Sequence, residues 1–159
     1  MIGIDTYVWN KIIRLQNTEW KELVTNILQE GDFFVTHEVK EEFLHFHPNH
    51  SHLLRFVTIV PTLNDRLQYY IELGFDSADA SLLEYSELKG YQIMTEDHPM
   101  LSLGVFSRKD IFQMSDFFGF LYESGFIASK ELYKLTKLLR KWRNITRKKC
   151  HYLVYEAKL

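Results

Sequence analysis

The sequence holds one cysteine, Cys150, among its 159 residues. A lone thiol forms no internal disulfide and supplies no cysteine-based zinc site. That usage fits a reducing compartment. Proline occurs three times, at Pro48, Pro61 and Pro99, and each falls where one element would give way to the next. No window holds 18 apolar residues, so no transmembrane helix is expected. The opening Met1-Ile2-Gly3-Ile4-Asp5 has no basic segment and no long apolar run, so no signal peptide is expected. The cytoplasm is therefore the expected location, with no membrane partner. Repeats and low-complexity linkers are absent. Gly-x-x-x-x-Gly-Lys-Ser/Thr is also missing, which excludes a P-loop, and the lack of Gly-x-Gly-x-x-Gly leaves a dinucleotide fold without its fingerprint.

What is present suits a folded domain. Hydrophobic residues make up 46% and charged residues 25%, which is close to a globular average. The length suits one domain over 1–159, and a chain of this size buries roughly 70% of its unfolded surface. The net charge of −2 conceals a strong asymmetry. Residues 1–128 hold nine Lys/Arg and nineteen Asp/Glu, a net of −10. Residues 129–149 hold nine Lys/Arg and the single acid Glu131, a net of +8. Such polarity points to an anionic partner for the tail and a cation for the body.

Short apolar runs alternate with helical patterns. Strands are expected at 1–5, 33–36, 56–60 and 91–95, with a weaker fifth at 111–114. Trp20, Leu23, Val24, Ile27 and Leu28 recur at helical spacing before Gly31. Further helices are expected at about 37–46, 63–73, 78–89, 116–123 and 129–142. Asp76 or Ser77 is the expected cap of the 78–89 helix, and Gly90 its stop. This alternation predicts an α/β fold with a parallel sheet covered on both faces. In such sheets ligands bind outside the carboxyl ends of the strands.

The acids gather at those ends. Asp5 closes strand one. Glu38, Glu41 and Glu42 open the helix after strand two, Asp76 and Asp79 open the helix before strand four, and Glu96 and Asp97 follow strand four. Each has an ordinary explanation in a helix first turn or a loop, although an acid ending an apolar strand, as Asp5 does, needs a partner. Jointly they bring carboxylates from four segments to one edge. Like charges about 4 Å apart repel by ~1 kcal/mol even in water, so such a set takes up protons or a cation. Oxygen-only ligands suit Mg²⁺ or Mn²⁺.

These residues resemble the PIN-domain family, the metal-dependent nuclease fold found in VapC-like toxins. Ile4-Asp5-Thr6 resembles its first strand and first aspartate. Val35-Thr36 followed by Val39-Lys40-Glu41-Glu42-Phe43 resembles its second strand and glutamate. Asp79-Ala80-Ser81-Leu82-Leu83 resembles its Asp-Ala helix start, and Ile93-Met94-Thr95-Glu96-Asp97 its Thr-x-Asp. The spacings are 37, 37 and 18 residues from Asp5 through Glu42 and Asp79 to Asp97. Glu42 is preferred because the apolar Phe43 follows it, with Glu38 and Glu41 as rivals. The likeness covers about residues 1–115. It implies a three-layer α/β/α fold with sheet order 3-2-1-4-5. It also implies an endoribonuclease in which Asp5, Glu42, Asp79 and Asp97 hold the Mg²⁺ or Mn²⁺ that activates water against an RNA phosphodiester. Thr95, Thr6 and Thr36 would orient carboxylates or water. An antitoxin protein and a second copy of the chain are the protein partners the likeness admits. Its alternative is a catalytically inactive PIN-like module that binds RNA or protein. The helical extension over about 116–159 is long for a compact toxin, and is closer to archaeal-style PIN proteins of unassigned role.

Within that extension Leu132, Leu135, Leu138, Leu139 and Trp142 fall within about 120° of a helical wheel. Lys130, Lys134, Lys137 and Lys141 lie opposite. Lysines near a helix C-terminus also suit the dipole. Beside an acidic nuclease site they would track phosphates instead. Lys134, Lys137, Lys141, Arg143 and Arg147 are thus the candidate RNA contacts, and Lys148 and Lys149 extend the charge. Four histidines crowd 45–52, a composition that suits zinc or nickel, yet Pro48 and Asn49 read as a loop. His45 shares a helix face with Glu42, and His98 follows Asp97 directly. A phosphatase of the haloacid dehalogenase type would need Asp-x-Asp where Asp5-Thr6-Tyr7 stands. Cys150 lies in a basic segment, which favours a thiolate, and is expected to be an ordinary thiol.

Overall fold

The computed structural model describes residues 1–156 and divides into two compact units, 1–112 and 113–159. The first unit is built on five parallel strands: β1 (Ile2–Ile4), β2 (Phe33–Thr36), β3 (Thr58–Val60), β4 (Gln92–Met94) and β5 (Ile111–Phe112). Their order is β3-β2-β1-β4-β5. Gly3 is paired with Phe34 on one side and Ile93 on the other. A Cβ at Gly3 would sit 2.9 Å from the Phe34 ring and 3.0 Å from Leu82. The close seat of those side chains on the central strand therefore needs glycine.

Seven helices follow the strands in this unit. In chain order they are α1 (Thr6–Gln16), α2 (Lys21–Glu30), α3 (His37–Phe46), a 3-10 stretch at Pro48–Phe56, α4 (Leu67–Glu72), α5 (Ser77–Lys89) and α6 (His98–Ser107). Strand order runs one way from β1 to β3 and the other way from β4 to β5. Right-handed crossovers then place helices on both sheet faces, and the reversal falls between β1 and β4. The core side chains include Ile4, Trp9, Phe34, Phe43, Leu82 and Ile93, each below 2% exposed. Trp9 of α1 packs on Phe43 of α3 at 5.1 Å, and Phe34 of β2 on Tyr85 of α5 at 5.2 Å.

Some sequence expectations change. Residues 6–16 and 98–107, for which no helix is expected, form α1 and α6. The helix expected over about 63–73 is confined to α4 (Leu67–Glu72), because Asn64 takes a φ of 61° that is not helical. Pro48 and Asn49, expected in a loop, begin the 3-10 helix that carries His50 and His52, while His45 lies in α3. Pro99 sits at an element boundary as expected, in the first turn of α6, where its missing N–H costs nothing.

The second unit holds α7 (Met114–Glu123), α8 (Ser129–Lys141) and α9 (Arg147–Glu156). Helix α9 is also absent from the sequence expectation, because its charged residues mask its apolar pair. Leu132, Leu135 and Leu139 of the expected stripe are buried with Phe118, Ile145, Cys150 and Leu153, while Leu138 and Trp142 are half-buried. Lys149 reaches Gln113 Oε1 at 2.5 Å and Asp116 Oδ2 at 2.9 Å, so it is an internal tie within this unit. No helix among the described residues is long and apolar enough to cross a membrane.

Candidate functional site

The strand order reverses between β1 and β4, and in open α/β sheets ligands bind outside the carboxyl ends of the strands at such a reversal. Asp5 follows β1 and Asp97 stands three residues past β4. Each is also the N-cap of a helix, Asp5 of α1 and Asp97 of α6. Asp79 lies in the first turn of α5. Three helix N-termini thus carry the aspartates, and their partial positive charge offsets part of the mutual repulsion. Glu42 comes from the second turn of α3.

Hydroxyls orient two of the four. The Thr95 hydroxyl donates to Asp5 Oδ2 at 2.7 Å and accepts from the Asp97 amide at 2.9 Å. One threonine thereby ties the two strand-end acids together. The Thr6 hydroxyl donates to Glu42 Oε2 at 2.5 Å. Thr36 is placed differently: its hydroxyl pairs with Ser81 Oγ at 2.6 Å and caps α3 by accepting from the Val39 amide. Asp97 accepts from the Met100 amide at 2.9 Å, and Asp76 from the Asp79 amide at 2.9 Å. Sequence alone assigns Ser81 no role beyond its place in the Asp79–Leu83 motif, because its contact with Thr36 spans 45 residues.

Burial dominates the electrostatics of the two innermost aspartates, and neighbouring acids add to it. Burial raises Asp5 from 3.8 to about 7; the Thr95 hydrogen bond opposes the rise, while Glu42 and Asp97 add to it. Asp79 is raised to about 8, by burial first and then by Asp5, Asp76, Asp97 and Glu42 in turn. No lysine or arginine is among the groups acting on either aspartate. Of the three rival glutamates, Glu42 is the one that acts on both. Glu41 is exposed and paired with Lys40 at 3.8 Å. Glu38 accepts from the Thr62 hydroxyl.

A cleft of about 390 Å³ opens beside Glu42, lined by His37, Glu38, Glu41 and Glu42 of α3 and by Asp76, Ser77 and Ala78 at the start of α5. Among the described residues, no three acidic, histidine or cysteine side chains stand in a metal-holding arrangement. By chemistry alone, a donor set of four carboxylates suits a hard divalent ion. His98 is exposed next to Asp97, and the exposed His45 packs its ring on Phe46. His47 hydrogen-bonds Asn10, and its ring lies 6.2 Å from that of His50. In the second unit Lys134, Lys137, Lys141, Arg143 and Arg147 are exposed. Cys150 is buried, so its thiol is withheld from solvent. Comparison with family models, with curated proteins and with solved structures gives no match for this chain.

Proposed function

We propose that the chain is a Mg²⁺- or Mn²⁺-dependent endoribonuclease of the PIN type. One observation carries the reading. Asp79 is raised to about 8 by burial first, and then by Asp5, Asp76, Asp97 and Glu42, carboxylates brought from four separate segments. Such a set takes up protons or a cation, and oxygen-only ligands suit a hard divalent ion. Asp5, Glu42, Asp79 and Asp97 would hold the ion. When bound, the ion supplies charge neutralisation of the phosphodiester and activation of water.

The remaining work falls to the chain. Thr95 fixes the Asp5 carboxylate and the Asp97 backbone together, and Thr6 fixes Glu42. Water would attack the phosphorus and pass its proton to a carboxylate of the set, while the phosphorus–oxygen bond to the sugar breaks and the departing sugar oxygen takes up a proton from solvent. The exposed lysines and arginines of α8 and α9 hold the RNA, which the acidic body alone would repel. Pairing with an inhibitory antitoxin and self-association rest on the same family likeness.

The test is cleavage of a mixed single-stranded RNA pool by wild type and Asp79→Asn, with Mn²⁺, with Mg²⁺ and with chelator. The expected result is divalent-dependent cleavage that falls by a factor of at least about 100 in the variant. Failure of both proteins to cleave, with RNA binding indifferent to the ion, would make the chain a binding module.

A further inference from the structure

The second unit carries more than charge. Tyr133 is 40% exposed, Tyr152 62% and Tyr155 80%. Tyrosines left this open in a helical unit with a built core are spare contact surface. On α9, Lys148, Tyr152 and Tyr155 are spaced i, i+4 and i+7, so they share one face. Cys150 and Leu153 are buried on the opposite side. On α8, Lys130, Lys134, Lys137 and Lys141 form the outward stripe. Tyr133 stands at its edge, with the Lys137 ammonium 5.4 Å from its ring centre. Two acids of the unit are engaged elsewhere. Glu131 accepts from the Ala128 amide at 2.7 Å, and Asp116 is paired with Lys149. Among the described residues no salt bridge involves Lys130, Lys134, Lys137 or Lys141.

Ammonium groups interleaved with open aromatic rings match a strand of nucleic acid whose phosphates and base faces are both accessible. A duplex offers the phosphates alone, because its bases are stacked on each other. We infer that the α7–α9 unit is a single-strand binding surface, in which Lys130, Lys134, Lys137 and Lys141 follow the backbone and Tyr133, Tyr152 and Tyr155 stack on bases. This goes beyond the nuclease reading, which needs only the charge, and it holds whether or not the acidic cluster is catalytic.

The two kinds of contact separate by their salt dependence. Phosphate contacts release counter-ions, so each adds about −0.7 to the slope of log affinity against log salt for a single strand. Stacking releases none and moves affinity without moving the slope. The experiment uses the full chain carrying Asp79→Asn, in chelator, so that bound RNA stays intact. Fluorescence anisotropy follows a labelled, unstructured RNA of about 12 nucleotides, and the same strand annealed to its complement, across roughly 50–300 mM salt. Changing Tyr133, Tyr152 and Tyr155 together to alanine is expected to weaken single-strand binding by more than about tenfold at an unchanged slope. Changing them to phenylalanine, which keeps the ring, should restore it. Changing the four lysines to glutamine should instead flatten the slope. Duplex affinity should follow the lysines and ignore the tyrosines.

Single-strand affinity unaltered by the alanine triple variant, in protein with the thermal midpoint of the parent chain, overturns the inference. So does equal preference for duplex and single strand, or no RNA binding at low salt, which would leave the face to an acidic protein. Cleavage by the chain with native Asp79 is scored separately. If cleavage persists while the tyrosines prove inert, the surface reading fails and the nuclease reading stands. If stacking is found without cleavage, the reverse holds.

Discussion

Asp5 is 1% exposed and ends an apolar strand, yet it keeps a carboxylate where Ile4 before it is fully buried. The cost of that placement is visible in its titration, near 7, and in that of Asp79, near 8. Both lie above the unfolded value of 3.8, so the folded chain binds these protons more tightly than the unfolded chain. Their contribution to stability is therefore whole below about pH 4 and is lost as the pH rises through about 7 and 8. In chelator, the urea midpoint of the wild type should fall between about pH 5 and pH 9. Asp79→Asn removes a charge that the fold does not favour. It should flatten that profile and gain about 2 kcal/mol at the alkaline end. A divalent cation added at about pH 8 should restore wild-type stability, by up to about 3 kcal/mol at a hundredfold excess over its dissociation constant. A wild type as stable at high pH as at low pH, and indifferent to the ion, would show that the four acids do not act as one site.

At the scale of elements, α5 does two jobs. Its first turn presents Asp79, and its third turn holds down the loop after β3. Glu84 is fully buried and accepts from the Asn64 amide at 3.3 Å and the Arg66 amide at 2.5 Å. The neighbouring Tyr85 hydroxyl donates to the Pro61 carbonyl at 2.7 Å, and Thr62 of the same loop reaches Glu38. Asn64 sits at a φ of 61°, a left-handed conformation that asparagine tolerates better than most residues. Glu84→Leu leaves two amides without their acceptor and should cost about 2 kcal/mol or more. Proteolytic cutting within 61–66 should rise with it. An unchanged midpoint and cleavage pattern would show that the loop holds itself.

None of this anchoring was legible beforehand, because Glu84 lies eighteen or more residues from the amides it holds. The strands were legible, since Phe33-Phe34-Val35 and Ile93-Met94 are short apolar runs flanked by polar residues. Sheet order came from the family likeness and not from the pattern, since alternation alone does not say where β4 pairs. Helix α6 was illegible for a different reason. It is apolar almost all round, with Val105 and Phe106 both open to solvent, so it shows no face. Asp97 and Pro99 read as a turn when they are its cap and first turn. Asp5 read correctly as a strand end, but not also as the cap of α1. Of the site, the four acids and Thr95 could be named from the sequence. That Thr6 and not Thr36 meets a carboxylate depends on side-chain directions that no spacing encodes.

Over the whole molecule the charges are sorted by segment. Residues 1–128 carry a net of −10 and residues 129–149 a net of +8. An acidic body by itself lowers the local concentration of RNA, and a basic segment in the same chain reverses this by tethering. In the proposed enzyme, binding and chemistry are thus assigned to different residues, and the kinetics should separate them. Replacing Lys134, Lys137 and Lys141 with glutamate should raise KM by about tenfold or more and leave kcat within about twofold, because the lost contacts are uniform binding. Its kcat/KM should also lose much of its decline with salt. Asp79→Asn should do the opposite, collapsing kcat while KM and the salt dependence stay near wild type. If lysine replacement lowers kcat as far as it raises KM, the basic helix takes part in the transition state, and the division of labour by charge is wrong. If it changes neither constant, the lysines are a solvated face and RNA is held by other groups.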